Sequence, residues 1–323
     1  MSSAAKALGK MVDAFTSIDV KDVIYPFLGI IIFLFIWNVS ASRIDTSLGQ
    51  FPGPKQVYQQ SLSLIDEHNA EQVKKAAFYE RQDKRNAKKA EKNPNAVIKV
   101  RKYTGKETFF DQIFTSLKTV LFGFFIASAI AIPLGIACGL SDAVYKGMNP
   151  LIQIFKPVSP LAWLPLITMV VSALYVTDDP YFEKSFLNSA LTVALCCLWP
   201  TLINTAVGVA NVDKDLLNVS RVIQLPALTH VRKIILPASI PMIFTGLRLS
   251  LATGWMVLIA AEMLSQNPGL GKFVWDEFQN GSSNSLSRIM VAVVVIGLIG
   301  FALDRLILMA QRFVSWDKQA ILR

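Results

Sequence analysis

The chain has 323 residues, of which 53% are apolar and only 17% charged, and a formal net charge of +9. A soluble domain of this length rarely combines the two, so composition argues against an ordinary soluble enzyme and for a membrane protein. Sustained period-2 alternation is absent, which argues against a membrane barrel.

Apolar runs long enough to cross a bilayer, about 20 residues each, fall near 23–40, 113–140, 150–176, 186–209, 242–264 and 287–310. They predict an all-α, polytopic membrane protein with about six transmembrane helices. The first run, after an N-terminal segment of residues 1–22, is long, starts well into the chain and lacks a small-residue cleavage pattern. It reads as a retained span rather than a signal peptide. Phe51-Pro52-Gly53-Pro54 follows it and opens a long segment, 41–110, with a basic stretch over 67–105. Around 70–92 that stretch predicts a solvated charged helix, with Glu71 and Lys75, and Glu80 and Lys84, at i,i+4 spacing. An alternative role is to draw anions or to dock a binding protein by charge steering. No nucleic-acid recognition motif is present.

The second run carries Lys118 in its outer half. The third contains Lys156-Pro157-Val158-Ser159-Pro160-Leu161-Ala162-Trp163-Leu164-Pro165. Proline removes a backbone donor and kinks a helix, which is tolerated where neighbours or a cavity satisfy the freed carbonyls. Lys156 and Ser159 are therefore candidates for an anion pathway, and a break that only shapes helix contacts is the competing reading. Trp37, Trp163, Trp199 and Trp255 read as interface anchors or helix contacts. Asn204-Thr205-Ala206-Val207-Gly208-Val209 closes the fourth run.

The polar stretch 211–241 comes next, and residues 218–237 read NVSRVIQLPALTHVRKIILP. Asp213 and Asp215 favour a helix start there, Pro226 is expected to divide the stretch into two short helices, and Pro237 to end the second. The fifth run carries Arg248 near its inner start and Glu262 toward its outer side, within Ala260-Ala261-Glu262-Met263-Leu264. Burying a charge at the bilayer centre costs at least ~2.5 kcal/mol, so each such residue needs a partner, water or the interface. Lys118 and Glu262 are candidates for an internal pair; Arg248, Asp304 and Arg305 are candidates for snorkelling or pairing near the inner surface. Val274-Trp275-Asp276-Glu277 precedes the last run, and 313–323 forms a tail.

Lys214, Arg221, Arg232 and Lys233 in 211–241, with Arg312, Lys318 and Arg323 at the end, contrast with Asp178, Asp179 and Glu183 after the third run. The positive-inside rule then predicts a multi-pass protein with this loop and both termini in the cytoplasm. The basic segment 41–110 opposes that orientation, but long loops translocate largely regardless of charge. Cys138, Cys196 and Cys197 read as small apolar residues of spans. No catalytic or metal-ligating constellation and no GxxxxGK[ST] loop is present, so ATP and Mg, if used, belong to another chain.

The stretch 218–237 resembles the cytoplasmic EAA loop of ATP-binding-cassette importer permeases, which runs E-A-A, three residues, Gly, nine residues, I-x-L-P. Counted from Asn218, Ile234-Ile235-Leu236-Pro237 falls in register, while Asn218-Val219-Ser220 replaces E-A-A and Gln224 replaces Gly. That variant, like the 156–165 decapeptide and the further motifs quoted above, is similar to the nitrate, nitrite, cyanate and bicarbonate branch; the likeness fails over 67–105.

The resemblance implies a type I importer permease fold, with a permease domain over 111–312 and a coupling loop at 211–241. It implies a translocation subunit, not an enzyme, in the cell inner membrane, serving a small inorganic anion with nitrate first. Taurine or alkanesulfonate is the neighbouring alternative. The implied partners are cytoplasmic ATPase subunits carrying ATP and Mg, an external substrate-binding protein and a second permease subunit, most simply a homodimer. The implied coupling residues are Asn218, Val219, Ser220, Arg221, Gln224, Leu236 and Pro237; the anion-path candidates are Lys156, Ser159, Lys118 and Arg248. A secondary anion transporter, from another class, would show internal repeats, and none is found.

Overall fold

The computed structural model describes residues 20–46, 49–92, 100–176, 181–282 and 284–314. Residues 1–19, the tail from 315 with Lys318 and Arg323, and the acidic pair Asp178 and Asp179 lie outside the described residues.

Helix α1 (Val20–Ala41) leads to a short hairpin of β1 (Asp45–Thr46) and β2 (Gly49–Gln50), then to α2 (Pro54–Lys92). The bundle follows: α3 (Phe109–Leu140), α4 (Asp142–Phe155), α5 (Pro160–Leu174), α6 (Lys184–Ala210), α7 (Lys214–Val222), α8 (Ala227–His230), a π turn (Val231–Ile235), α9 (Leu236–Ser265), α10 (Leu270–Asn280) and α11 (Ser285–Val314). Five helices are long and apolar enough to cross a membrane: α1, α3, α6, the continuous helix Ala227–Ser265 and α11.

The third apolar run, expected to kink at its prolines, passes the same length and hydropathy test only as a bent helix pair, which would make a sixth span. It is broken between α4 and α5, whose axes meet at 101°. Pro157 and Pro160 supply no N–H, and Ser159, at ψ 138, leaves the helical region and caps α5, its Oγ accepting from Leu161 N at 3.3 Å. With 15 residues α5 is about 22 Å long, short of the ~30 Å hydrocarbon core.

Small side chains set the core. Gly123, Ala127, Ala131, Gly135 and Gly139 recur every fourth residue of α3, which stacks them on one helix face. A methyl group added at Gly123 would lie 2.4 Å from the Ala190 carbonyl, and one at Gly135 2.8 Å from that of Leu202, so α3 and α6 touch almost backbone to backbone. The contact order shows the two helices running parallel, whereas α9 runs antiparallel to α6, with Gly246 against Asn204 and Gly254 against Cys197. Cys197 Sγ donates to Ser250 O at 3.1 Å, and Thr201 Oγ1 lies 2.7 Å from Ser250 Oγ. Trp255 Nε1 donates to Ile296 O at 3.0 Å and ties α9 to α11. These helix directions put α7, α8 and the end of α11 on one face of the bundle, and the start of α3 with α10 on the other.

On that second face α2 is a single 39-residue helix, about 58 Å long. Its near end is buried through Val57 and Leu64, and His68 Nδ1 lies 2.7 Å from Thr108 Oγ1. Its far half is solvated, as expected, with Lys84 donating to Glu80 at 2.6 Å. Glu71, however, pairs with Lys74 at 3.2 Å rather than with Lys75. The returning chain buttresses the helix: Arg101 N donates to Gln82 Oε1 at 2.9 Å, and Tyr103 OH to Glu71 Oε1 at 2.7 Å.

Candidate functional site

The polar loop folds as a capped helix followed by a turn with a defined geometry. Asp213 accepts from Asp215 N at 2.8 Å and starts α7. At the other end Gln224 N bonds Arg221 O at 3.1 Å and Leu225 N bonds Ser220 O at 3.2 Å. This is a Schellman closure, whose turning residue must adopt the left-handed conformation. That residue is Gln224, with φ at 45°. The position where the resembled loop carries Gly is therefore one where the backbone asks for Gly, and Gln bears the strain here.

Ser220 is buried, and its Oγ lies 2.5 Å from His230 Nδ1, which pins α8 to α7. A cavity of about 310 Å³ lies in the angle, lined by Leu217, Ser220, Arg221, Gln224, Leu225, Ala227 and His230. Asn218, Val219 and Arg221 are exposed. So is an apolar row, Leu216, Val219, Val222, Ile223 and Leu228, with Val222 82% and Leu228 81% exposed.

Pro226 divides the stretch, as expected, by capping α8. Pro237 does not end the second helix. Leu236 N bonds Val231 O, one residue further back than in an α-helix, and the helix runs on from this π turn through Pro237 into α9. Leu236 is half-buried and Pro237 exposed at this junction.

Of the anion-path candidates, Lys156 and Ser159 meet at the α4–α5 break, and both are exposed. Lys156 caps α4 through its N–H to Ile152 O at 3.0 Å. Phe155 beside it stacks on Trp199 and tilts against Trp163, so these tryptophans make helix contacts. Lys118 and Arg248 stand on other helices. Lys118 is exposed, with its Nζ 4.3 Å from the centre of the Phe114 ring. Arg248 is paired with both carboxylate oxygens of Asp304 and bridges α9 to α11. Arg305 stacks over Phe301.

Lys118 and Glu262 do not pair. Fully buried Glu262 accepts from Ser116 Oγ at 2.8 and 2.9 Å and from Gly271 N at 3.0 Å. Its carboxylate thereby caps α10 and fastens it to α3. Gly269 and Gly271 make room for it, since a methyl group at Gly269 would lie 2.2 Å from Glu262 Oε1.

Sequence reading missed Arg288 and Glu67. Arg288, at the start of α11, donates to Glu67 on α2 at 2.6 and 3.1 Å, and its Nε lies 2.6 Å from Glu277 on α10. The signal was present as an Arg inside the last apolar run, 287–310.

Residues 131–315 match the family model of the binding-protein-dependent transport system inner membrane component, and the match spans the break, the polar loop and the last two bundle helices. The chain belongs to that family. Members are translocation subunits, and the polar loop, the break and the helix order are thus features of a permease. The chain is 35% identical over 219 residues to the nitrate import permease protein NrtB of Synechococcus elongatus, covering 65% of this chain and 75% of that protein. It is 33% identical over 302 residues to the bicarbonate transport system permease protein CmpB of the same species, covering 93% and 90%. The fold is similar to a chain of the MetNI methionine ABC transporter in its inward-facing conformation, with a TM-score of 0.54 over 64% of this chain and 96% of that one, at 14% identity.

Proposed function

We propose that the chain is the permease of an ATP-driven importer for a small inorganic anion, with nitrate first and bicarbonate second. The observation that carries this reading is the face made by α7 and α8. A row of exposed apolar side chains is held rigid by the Ser220–His230 bond and the Schellman turn, and it lies on a family permease whose named relatives import nitrate or bicarbonate. A helix that presents an apolar row is suited to a groove on a partner. On this reading that partner is a cytoplasmic ATPase holding ATP and Mg. Asn218, Val219, Arg221 and Leu228 touch it, while Ser220, Gln224, Leu236 and Pro237 set the angle of the pair.

The same reading puts both termini and this loop in the cytoplasm, and α2 and α10 outside, where a substrate-binding protein delivers the anion. Two permease subunits, most simply identical, enclose one path. Lys156 is the favoured cation along it. It is exposed at a break where an interrupted helix can line water and a cationic side chain lowers the cost of passing an anion, whereas the charge of Arg248 is taken by Asp304. Nitrite and cyanate fit the same size and charge.

The test is ATP-dependent uptake of labelled nitrate and labelled bicarbonate in proteoliposomes with the cognate ATPase and binding protein. Lys156→Met is expected to lower maximal uptake several-fold while anion binding to the external protein is unchanged. Unaltered uptake in a correctly inserted variant contradicts the role of Lys156.

A further inference from the structure

Between α2, the chain at 106–108, α10 and the start of α11 lies a cavity of about 500 Å³ on the face opposite α7. Its volume falls within the range of small-molecule sites, and its lining is not that of an anion path. Five carboxylates line it against three cations.

Two of those cations are already engaged. Arg288 is held between Glu67 and Glu277, and Lys74 by Glu71. Lys106 makes no salt bridge among the described residues; the Glu67 carboxyl is held low first by its hydrogen bond to Arg288, and the Lys106 charge is the smallest contribution. Asp276 is satisfied by Lys272 at 2.7 Å. Glu107 is left as the lining carboxylate without a cation in salt-bridge range among the described residues. Partial burial, then Glu183 and Asp111, push its carboxyl up, against a smaller opposing pull from the Lys272 charge.

A second, independent observation lies deeper in the cavity. Gln112, on the first turns of α3, is 9% exposed and lines the cavity, and its buried Oε1 has no hydrogen-bond donor. A buried acceptor without a donor is rare in a folded protein. Phe109 and Phe273 form an apolar wall, with ring centres 4.8 Å apart. An orphan acceptor, a carboxylate without a salt bridge and aromatic faces call for the same chemistry, a positively charged donor.

We propose that this cavity binds a small organic cation bearing ammonium or guanidinium groups, which donates to Gln112 Oε1 and neutralises Glu107. Because the walls come from α2 on one side and α10 and α11 on the other, an occupant ties the charged arm to the outer end of the bundle. This site is separate from the anion path and stands whether the imported anion is nitrate, bicarbonate or another.

The test is calorimetry on the purified full chain in lipid nanodiscs, with agmatine and spermidine as probes and 1,4-butanediol and sodium nitrate as controls. Saturable binding of at least one amine is expected, with no binding of either control. Glu107→Gln and the near-isosteric Gln112→Met are each expected to weaken the amine by about ten-fold or more. Glu107 sits at the exposed margin, so its variant is expected to remain monodisperse on gel filtration and keeps the test valid even if Gln112→Met does not fold. Absence of binding by both amines overturns the proposal, as does binding that Glu107→Gln leaves unchanged or equal binding of butanediol.

Discussion

Gln224 holds a backbone conformation that side chains with a Cβ adopt at a cost of roughly 1–2 kcal/mol. Gln224→Gly removes that cost and gives back part of it as chain entropy, so a gain of about 0.5–1 kcal/mol is expected, read as a higher thermal midpoint. Gln224→Val is expected to lower the midpoint, because β-branched residues fit this region worst. The departure from Gly was legible in the sequence; the Schellman bonds that make Gly the fitting residue were not. Glu107 shows a different sensitivity. Its carboxyl is raised by burial and by Glu183 and Asp111, so the folded state binds the proton more tightly than the unfolded chain. Stability therefore falls as pH rises from the usual carboxylate range through the raised value. Glu107→Gln is expected to raise the thermal midpoint of the amine-free protein at neutral pH, with the difference closing below about pH 4. Glu262 was read from sequence as a partner for Lys118. Its partners instead are Ser116 and the N–H of Gly271, contacts fixed by how α10 folds back on α3, which spacing along one chain does not reveal.

At the scale of elements, hydropathy located the spans because an apolar run of sufficient length has few other uses. Over 150–176 it marks a run that is apolar enough to cross as a pair, and the prolines of that run mark where the chain turns by 101°. The every-fourth-residue row of Gly and Ala on α3 was also readable, and it specifies the close approach of α3 to α6. Gly135→Leu places a large side chain where even a methyl carbon meets Thr205 at 2.6 Å. The two helices must part, with a loss of roughly 1–3 kcal/mol or of folded protein altogether, measured as monodisperse yield in detergent. The α7–α8 pair makes the opposite expectation, since its exposed side chains support no packing. Arg221→Glu and Leu228→Asp are expected to leave the thermal midpoint within about 0.5 kcal/mol of wild type while uptake and transport-stimulated ATP hydrolysis fall together. Loss of stability without loss of coupling would assign that face to the fold.

For the whole molecule, one set of helix directions gathers α7, α8 and the end of α11 on one face and the Glu262, Arg288 and Glu67 networks on the other. The first face exposes the apolar row of α7 and α8 beside the family loop's motif positions; the second is polar, braced by ion pairs and extended by the basic arm of α2. This asymmetry is what a permease driven from one side and loaded from the other requires. The family was legible from motifs in order along the chain, whereas the choice of anion was not, because nitrate and bicarbonate permeases are comparably similar to this chain. Uptake by proteoliposomes containing the chain, its ATPase and its binding protein tests the central claim most directly. ATP-dependent accumulation of labelled nitrate or bicarbonate that is lost in the Arg221→Glu variant is the expected result. Accumulation that proceeds without the ATPase, or that neither anion shows with all components present, would contradict it.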